Sequence, residues 1–206
     1  MYDKIEIRIR LRSDTMVVIF GGAFNPPTLA HKVICEHIFK SIPVNEFIYL
    51  PVSNLYTKRS LLSNYHRLQM LKLMTHNMKN VEVSSMEFDD SDYLGTYQTL
   101  LRFQEKYPCD EIAFVIGADN LEKLPKWINA RSLLSEFRFI VINRQNIDID
   151  SYIENHPFLH EFYANFIILP HFNMDMSSTT FRTTFDPSYV SKEVYDYIIQ
   201  NQLYRG

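Results

Sequence analysis

The chain has 206 residues, 46% hydrophobic and 22% charged, enough for one domain with a full core and unlike disordered, collagenous or coiled-coil sequences in composition. Its net charge of −3 speaks against a broad nucleic-acid footprint, leaves room for a local basic pocket, and puts a small-molecule partner first. Only five residues are glycine, where average usage would give about fourteen, so each marks a place where a missing Cβ matters.

At the start of the chain Ile5, Ile7, Ile9 and Leu11 alternate with Glu6, Arg8 and Arg10, the period of a half-buried strand. Residues 1–15 are therefore expected to be an N-terminal extension forming an edge strand, ahead of one domain over residues 16–206. An Arg-rich transit peptide is the rival reading, but the period is two, and Asp3, Glu6 and Asp14 do not suit one. A third reading makes Met16 the natural start.

From Met16 onward the pattern is strand, then helix, repeated. Apolar runs at Val17–Phe20, Phe47–Leu50, Ile112–Ile116, Phe139–Ile142 and Phe166–Leu169 are separated by segments of helical period such as Val33–Lys40 and Arg67–Met74. Continuous apolar strands joined by helices predict an α/β fold, a doubly wound, Rossmann-like parallel sheet with helices on both faces. Ligands of such sheets bind beyond the carboxyl ends of the strands. The longest apolar runs are about five residues, too short to span a membrane. Cys35 and Cys109 lack metal-ligand spacing and nothing resembles a secretory signal, so a reducing cytoplasm is expected.

Three segments that follow strands hold the candidate chemistry. Gly21-Gly22-Ala23-Phe24-Asn25-Pro26-Pro27-Thr28-Leu29-Ala30-His31 turns from a strand into a helix, with Thr28 as N-cap. Thr28 and His31 then share the first helical turn, where amides and the macrodipole favour anions. The segment matches neither the dinucleotide fingerprint nor the P-loop. A plain βα turn with a structural histidine competes with the phosphate reading, and these residues alone do not choose between them. The second segment is Gly117-Ala118-Asp119-Asn120-Leu121 with the lone Trp127 after it, whose ring could stack on a heterocycle or simply anchor the core. The third is Ser177-Ser178-Thr179-Thr180-Phe181-Arg182, a second helix start with a cation one turn in.

In this order and spacing the three segments resemble the nucleotidylyltransferase superfamily, and within it the bacterial nicotinate-nucleotide adenylyltransferases of NAD synthesis. The family's G-G-x-F-[DN]-P-x-H-x-[GA]-H is similar to Gly21–His31, its G-x-D-x-L with a later Trp to Gly117–Trp127, and its I-S-S-T-x-[IF]-R to Met176–Arg182. Phe139–Arg144 and the tail Val194–Tyr204 also match, so the resemblance covers residues 16–205. There are departures. Thr28 stands for the first family histidine, as it does in the related pantetheine-phosphate enzymes. Leu55-Tyr56-Thr57-Lys58 keeps only the basic residue of P-P-H-[KR], and Leu94–Leu100 keeps Thr96 and Thr99 of S-Y-T-x-[DE]-T-[LIV].

The resemblance implies adenylyl transfer from ATP to nicotinate mononucleotide with release of pyrophosphate. It implies that His31, Thr28, Arg182 and Lys58 carry the charge stabilisation, and that Gly21, Gly22, Phe24, Gly117, Asp119, Ser177, Ser178 and Thr179 bind ATP. Thr96, Trp127 and Arg144 would bind the mononucleotide. Carboxylates do not cluster near these segments, so Mg2+ is expected to arrive with ATP rather than in a protein metal cage. His66, His76, His156, His160 and His171 lack ligand spacing and read, with Cys35, as structural or solvated. The acidic run Glu87–Asp92 reads as a solvated loop whose Asp89, Asp90 and Asp92 could repel wrong anions. No nucleic acid or membrane partner is expected, and a homo-oligomer is compatible with the sequence. The alternatives are an adenylyltransferase for nicotinamide mononucleotide or another phosphate ester, and a catalytically impaired nucleotide-binding regulator.

Overall fold

The computed structural model describes residues 15–56, 61–143, 147–169 and 176–205. The chain runs β1 (Met16–Gly22), α1 (Leu29–Ser41), β2 (Glu46–Pro51), α2 (Asn64–Thr75), β3 (Val81–Val83), α3 (Gly95–Lys106) and β4 (Glu111–Gly117). It continues through α4 (Ala130–Glu136), β5 (Arg138–Ile142), α5 (Ile149–Asn155), α6 (Pro157–His160), β6 (Phe166–Ile168), α7 (Ser178–Thr184) and α8 (Lys192–Gln200). The expected edge strand over residues 1–15 lies, apart from Thr15, outside the described residues.

The strands form one sheet in the order β3-β2-β1-β4-β5-β6, with parallel pairing throughout. This is the doubly wound arrangement expected from the apolar runs. Alternate residues of β1 go to opposite faces: Met16, Val18 and Phe20 join the core under α1, α2, α7 and α8. Val17 and Ile19 join the one under α3, α4, α5 and α6. Because both faces are covered, β1 needs no polar side, which is why it reads as a continuous apolar run. The edge strand β3, Val-Glu-Val with Glu82 exposed, is too short and too polar to stand out as one.

Helix starts follow the capping residues. Ser63 accepts from the His66 amide ahead of α2, Asp148 from Ser151 ahead of α5, Ser177 from Thr180 ahead of α7, and Ser191 from Val194 ahead of α8. Each such bond stabilises its helix by about 1 kcal/mol.

The strand order reverses between β1 and β4, so the chain diverges on either side of their carboxyl ends and a crevice opens there. One buried cation shapes this end of the sheet. Arg67, on the core face of α2 with Met70, Leu71 and Met74, has no exposed surface. Its guanidinium donates to the carbonyls of Leu62, Ala23 and Val52 at 3.0, 2.9 and 2.6 Å, and to Oδ1 of Asn54 and Asn64 at 2.6 and 2.7 Å. It ties the loops after β1 and β2 to the start of α2. Burial pulls its pKa down to about 10, which still leaves it cationic at neutral pH.

Candidate active site

A cleft of about 570 Å³ opens at the crevice between β1 and β4. Of the residues singled out in the sequence, Gly21, Gly22, Phe24, His31, Thr96, Gly117, Asp119 and Trp127 line it. Lys58 and Arg144 lie outside the described residues, as does His171.

His31 sits in the first turn of α1 with its ring against Phe24, centroids 5.0 Å apart at 70°. The Thr28 amide donates to His31 Nδ1 at 2.9 Å, and Thr28 Oγ1 lies 2.9 Å from the same nitrogen. A backbone amide can only donate, so Nδ1 accepts, and the ring proton of neutral His31 resides on Nε2. Behind it, Tyr49 donates its hydroxyl to the His31 carbonyl at 2.8 Å. Thr28 itself is fully buried. Its hydroxyl is turned to the imidazole, so it reaches any ligand through His31.

The third segment packs onto the first. Arg182 donates from Nη1 to the Asn25 carbonyl at 2.5 Å and from Nη2 to Thr179 Oγ1 at 3.1 Å. Ser178 donates to the Pro26 carbonyl at 2.7 Å, and Ser177 is spent on capping Thr180. Tyr204 adds a hydroxyl on Asn25 Oδ1 at 2.9 Å, where burial raises its pKa well above the ordinary phenol value. Thus Arg182 and Ser178 bond to the loop after β1, with Ser177 and Thr179 beside them, and none of the four is among the cleft-lining residues. The hydroxyls of Ser177 and Ser178 are committed to holding α7 in place.

At Gly21 and Gly117 the missing Cβ leaves room for the protein's own side chains. A Cβ on Gly21 would stand 2.7 Å from the Phe114 ring, and one on Gly117 would stand 2.3 Å from Asp119 Oδ1. The space is taken by the protein's own side chains: Phe114, which carries Trp127 edge-on at 6.3 Å and 78°, and the Asp119 carboxylate folded back over Gly117. Gly95 alone among the described glycines needs its backbone freedom, with φ of +82° at the start of α3.

The acidic run is not uniformly solvated, which corrects the expectation for it. Glu87 is only 6% exposed and lines the cleft. It is buried because it lies against α3, where Thr99 donates to its Oε1 at 2.9 Å. Burial pushes its carboxyl up to about 7. Sequence reasoning missed it because Asp89, Asp90, Ser91 and Asp92 beside it look like a loop. The signal available was Thr99, a hydroxyl on the core face of α3 that needs a partner there. Cys35 is buried, with its thiol pushed up to about 12 by that burial, and is inert. His66 bonds the Tyr197 hydroxyl at 2.8 Å, and His156 caps α6.

Among the described residues no group of three or more His, Cys, Asp or Glu could hold a metal ion. No helix of the described residues is long and apolar enough to cross a membrane.

The fold and the loops at its switch point define a class, and the cytidylyltransferase-like family profile matches residues 19–184. Curated relatives narrow it. A probable nicotinate-nucleotide adenylyltransferase of Endomicrobium trichonymphae is 35% identical over 92% of this chain and 98% of its own. One from Acholeplasma laidlawii is 31% identical over 92% and 97%. The nicotinate-nucleotide adenylyltransferase of Bacillus subtilis is 28% identical over 90% and 91%. The chain belongs to the nicotinate-nucleotide adenylyltransferase family. The fold is shared with the Plasmodium falciparum nicotinic acid mononucleotide adenylyltransferase complexed with NaAD, at a TM-score of 0.75 and 22% identity over 92% of this chain and 97% of that one.

Proposed function

We propose that this chain transfers the adenylyl group of ATP to nicotinate mononucleotide, giving nicotinate adenine dinucleotide and pyrophosphate. An oxygen of the mononucleotide 5′-phosphate forms a bond to the α-phosphorus, the bond from that phosphorus to the bridging oxygen breaks, and pyrophosphate leaves with the electron pair. The nucleophile is already anionic at neutral pH, so positioning and charge stabilisation supply the rate and no general base is required.

The observation that carries this reading is the convergence of His31 and Arg182 on one loop at the switch point. His31 gives Nε2–H to the ATP phosphates, with Thr28 fixing the imidazole and the start of α1 adding its dipole. Arg182, supported by Thr179 and held over the loop by Ser177 and Ser178, neutralises charge on the departing pyrophosphate. Lys58 is the second cation. Gly21, Gly22, Phe24, Gly117 and Asp119 shape the ATP side of the cleft, and Thr96, Trp127 and Arg144 the mononucleotide side. The divalent cation, Mg2+, comes as part of the ATP substrate, coordinated by its phosphates and water. Residues 16–206 act as the nucleotidylyltransferase domain, with residues 1–15 an extension to it, in the cytoplasm. Neither nucleic acid nor a membrane takes part.

The test is pyrophosphate release from Mg-ATP across a panel of acceptors: nicotinate mononucleotide, nicotinamide mononucleotide and unrelated phosphate esters. The expected result is release with the pyridine mononucleotides and none with the others. Absence of release with every acceptor would favour a binding protein without catalysis.

A further inference from the structure

Glu87 is a buried carboxyl that the reaction does not use. Its side chain is 6% exposed, yet it shares the cleft wall with Tyr93, Thr96, Thr99 and Trp127. Oε1 accepts a hydrogen bond from Thr99 Oγ1 at 2.9 Å, and among the described residues buried Oε2 has no hydrogen-bond partner. An ionised carboxylate has about four acceptor sites to satisfy, and one hydroxyl is a poor substitute for water. Among the described residues, Arg102 is the cation that acts on Glu87, and it lies 2.8 Å from Asp90 Oδ1, so its charge is largely committed. Tyr93 and Asp90 come from the loop that carries Glu87, Thr99 and Arg102 from α3, and Asp119 and His31 also line the cleft. The balance of these groups leaves Glu87 titrating at about 7, with burial as the main cause and Asp90 adding to it against Thr99 and Arg102.

We propose that Glu87 is a charge filter for the acceptor: neutral, it admits a mononucleotide whose ring carries a carboxylate, and ionised, it turns selection toward the uncharged carboxamide. The inference rests on the function proposed above, which puts Thr96 and Trp127 on the mononucleotide side of the cleft that Glu87 also lines. Direct contact is not needed. Two like charges a few ångströms apart in a wall of reduced dielectric repel by enough to change affinity about tenfold or more. A carboxamide carries no charge to be repelled.

The experiment measures kcat/KM for nicotinate and nicotinamide mononucleotides with saturating Mg-ATP from about pH 6 to about pH 8.5 and follows their ratio. Ionisation of the 5′-phosphate and every effect on ATP, including those through His31 and Arg182, are common to both acceptors and divide out. For the wild type the nicotinate-to-nicotinamide ratio falls on the order of tenfold with rising pH, centred near 7. Glu87→Gln holds the ratio flat at the high value. Thr99→Val, which removes the one bond favouring the charged form, moves the midpoint upward. A wild-type ratio that does not change with pH, or a Glu87→Gln ratio that keeps the wild-type slope, overturns the filter while leaving the proposed reaction standing. Should Glu87→Gln fail to fold, the wild-type slope and the Thr99→Val midpoint decide. Failure of the wild type to adenylylate either mononucleotide at any pH overturns both.

Discussion

The Thr28 amide donates to Nδ1 of His31 at 2.9 Å, and this one bond decides which side of the imidazole carries its proton. A histidine at the third position of a helix takes the place that Glu or Gln has in an ordinary capping box. The cap and the donor proposed for the ATP phosphates are the same side chain, so the local rule that starts α1 also aims Nε2. A histidine at position 28, the first of the family pattern, is therefore dispensable for orientation, since the backbone amide makes the decisive bond whatever the side chain.

His31→Ala is expected to lower kcat by on the order of 10² to 10³, the usual loss when one donor to a developing charge is removed. Thr28→Val keeps the amide and removes only the hydroxyl, so about a tenfold loss or less is expected. Steady-state kinetics with Mg-ATP and nicotinate mononucleotide checks both. Equal losses in the two variants would mean that the amide bond does not fix the ring.

Arg182 reaches across 157 residues of sequence to the Asn25 carbonyl, with its second nitrogen on Thr179. That fork geometry is a property of guanidinium, and Lys offers a point charge instead. Arg182→Ala is expected to cost on the order of 10² to 10³ in kcat, and Arg182→Lys is expected to recover only part of it. A lysine variant with wild-type turnover would reduce the role of Arg182 to charge alone.

The sheet was legible because both its faces are covered: runs such as Ile112–Ile116 have no polar side to break them, and β4 spans Glu111–Gly117. β3 was not, because two half-buried valines flanking the exposed Glu82 at an edge carry no such run. At the site, Gly21, Gly22, Phe24, His31, Gly117, Asp119 and Trp127 line one cleft, since cap, glycine and strand end are local signals. Arg67 and Glu87 were not found. Arg67 reads as a surface arginine until the loops it ties are known, and Glu87 as one more acid in an acidic loop. Their roles come from neighbours distant in sequence, Ala23 and Val52 for the one and Thr99 for the other.

Trp127 rests edge-on against Phe114, the ring that fills the space above Gly21. Stacking on a pyridine ring contributes to mononucleotide binding and not to ATP, so Trp127→Ala is expected to raise KM for the mononucleotide about tenfold or more with little change in KM for ATP. Gly21→Ala is expected to act on the same wall, because the new methyl would press on Phe114 and through it on Trp127. Acceptor titrations at fixed ATP measure both effects. Unchanged acceptor KM in Trp127→Ala would remove the indole from the pocket.

Glu87 also makes a prediction that needs no substrate. Its folded-state carboxyl is raised from the ordinary 4.5 to about 7, so the folded protein holds the proton more tightly than the unfolded chain does. The stability that Glu87 contributes is complete below about pH 4.5, declines as pH rises through the interval, and is gone above about pH 7. Across that window the loss is about 2–3 kcal/mol. Glu87→Gln cannot ionise and escapes it. Thermal unfolding of the two proteins should therefore show the variant gaining on the wild type by on the order of 5 °C in Tm between about pH 5 and about pH 8. Comparing the difference between proteins cancels every other titrating group that the substitution leaves alone. A Tm difference that stays constant across this range would place the Glu87 carboxyl at its ordinary value, and its burial against Thr99 would then have to be relieved by water reaching Oε2.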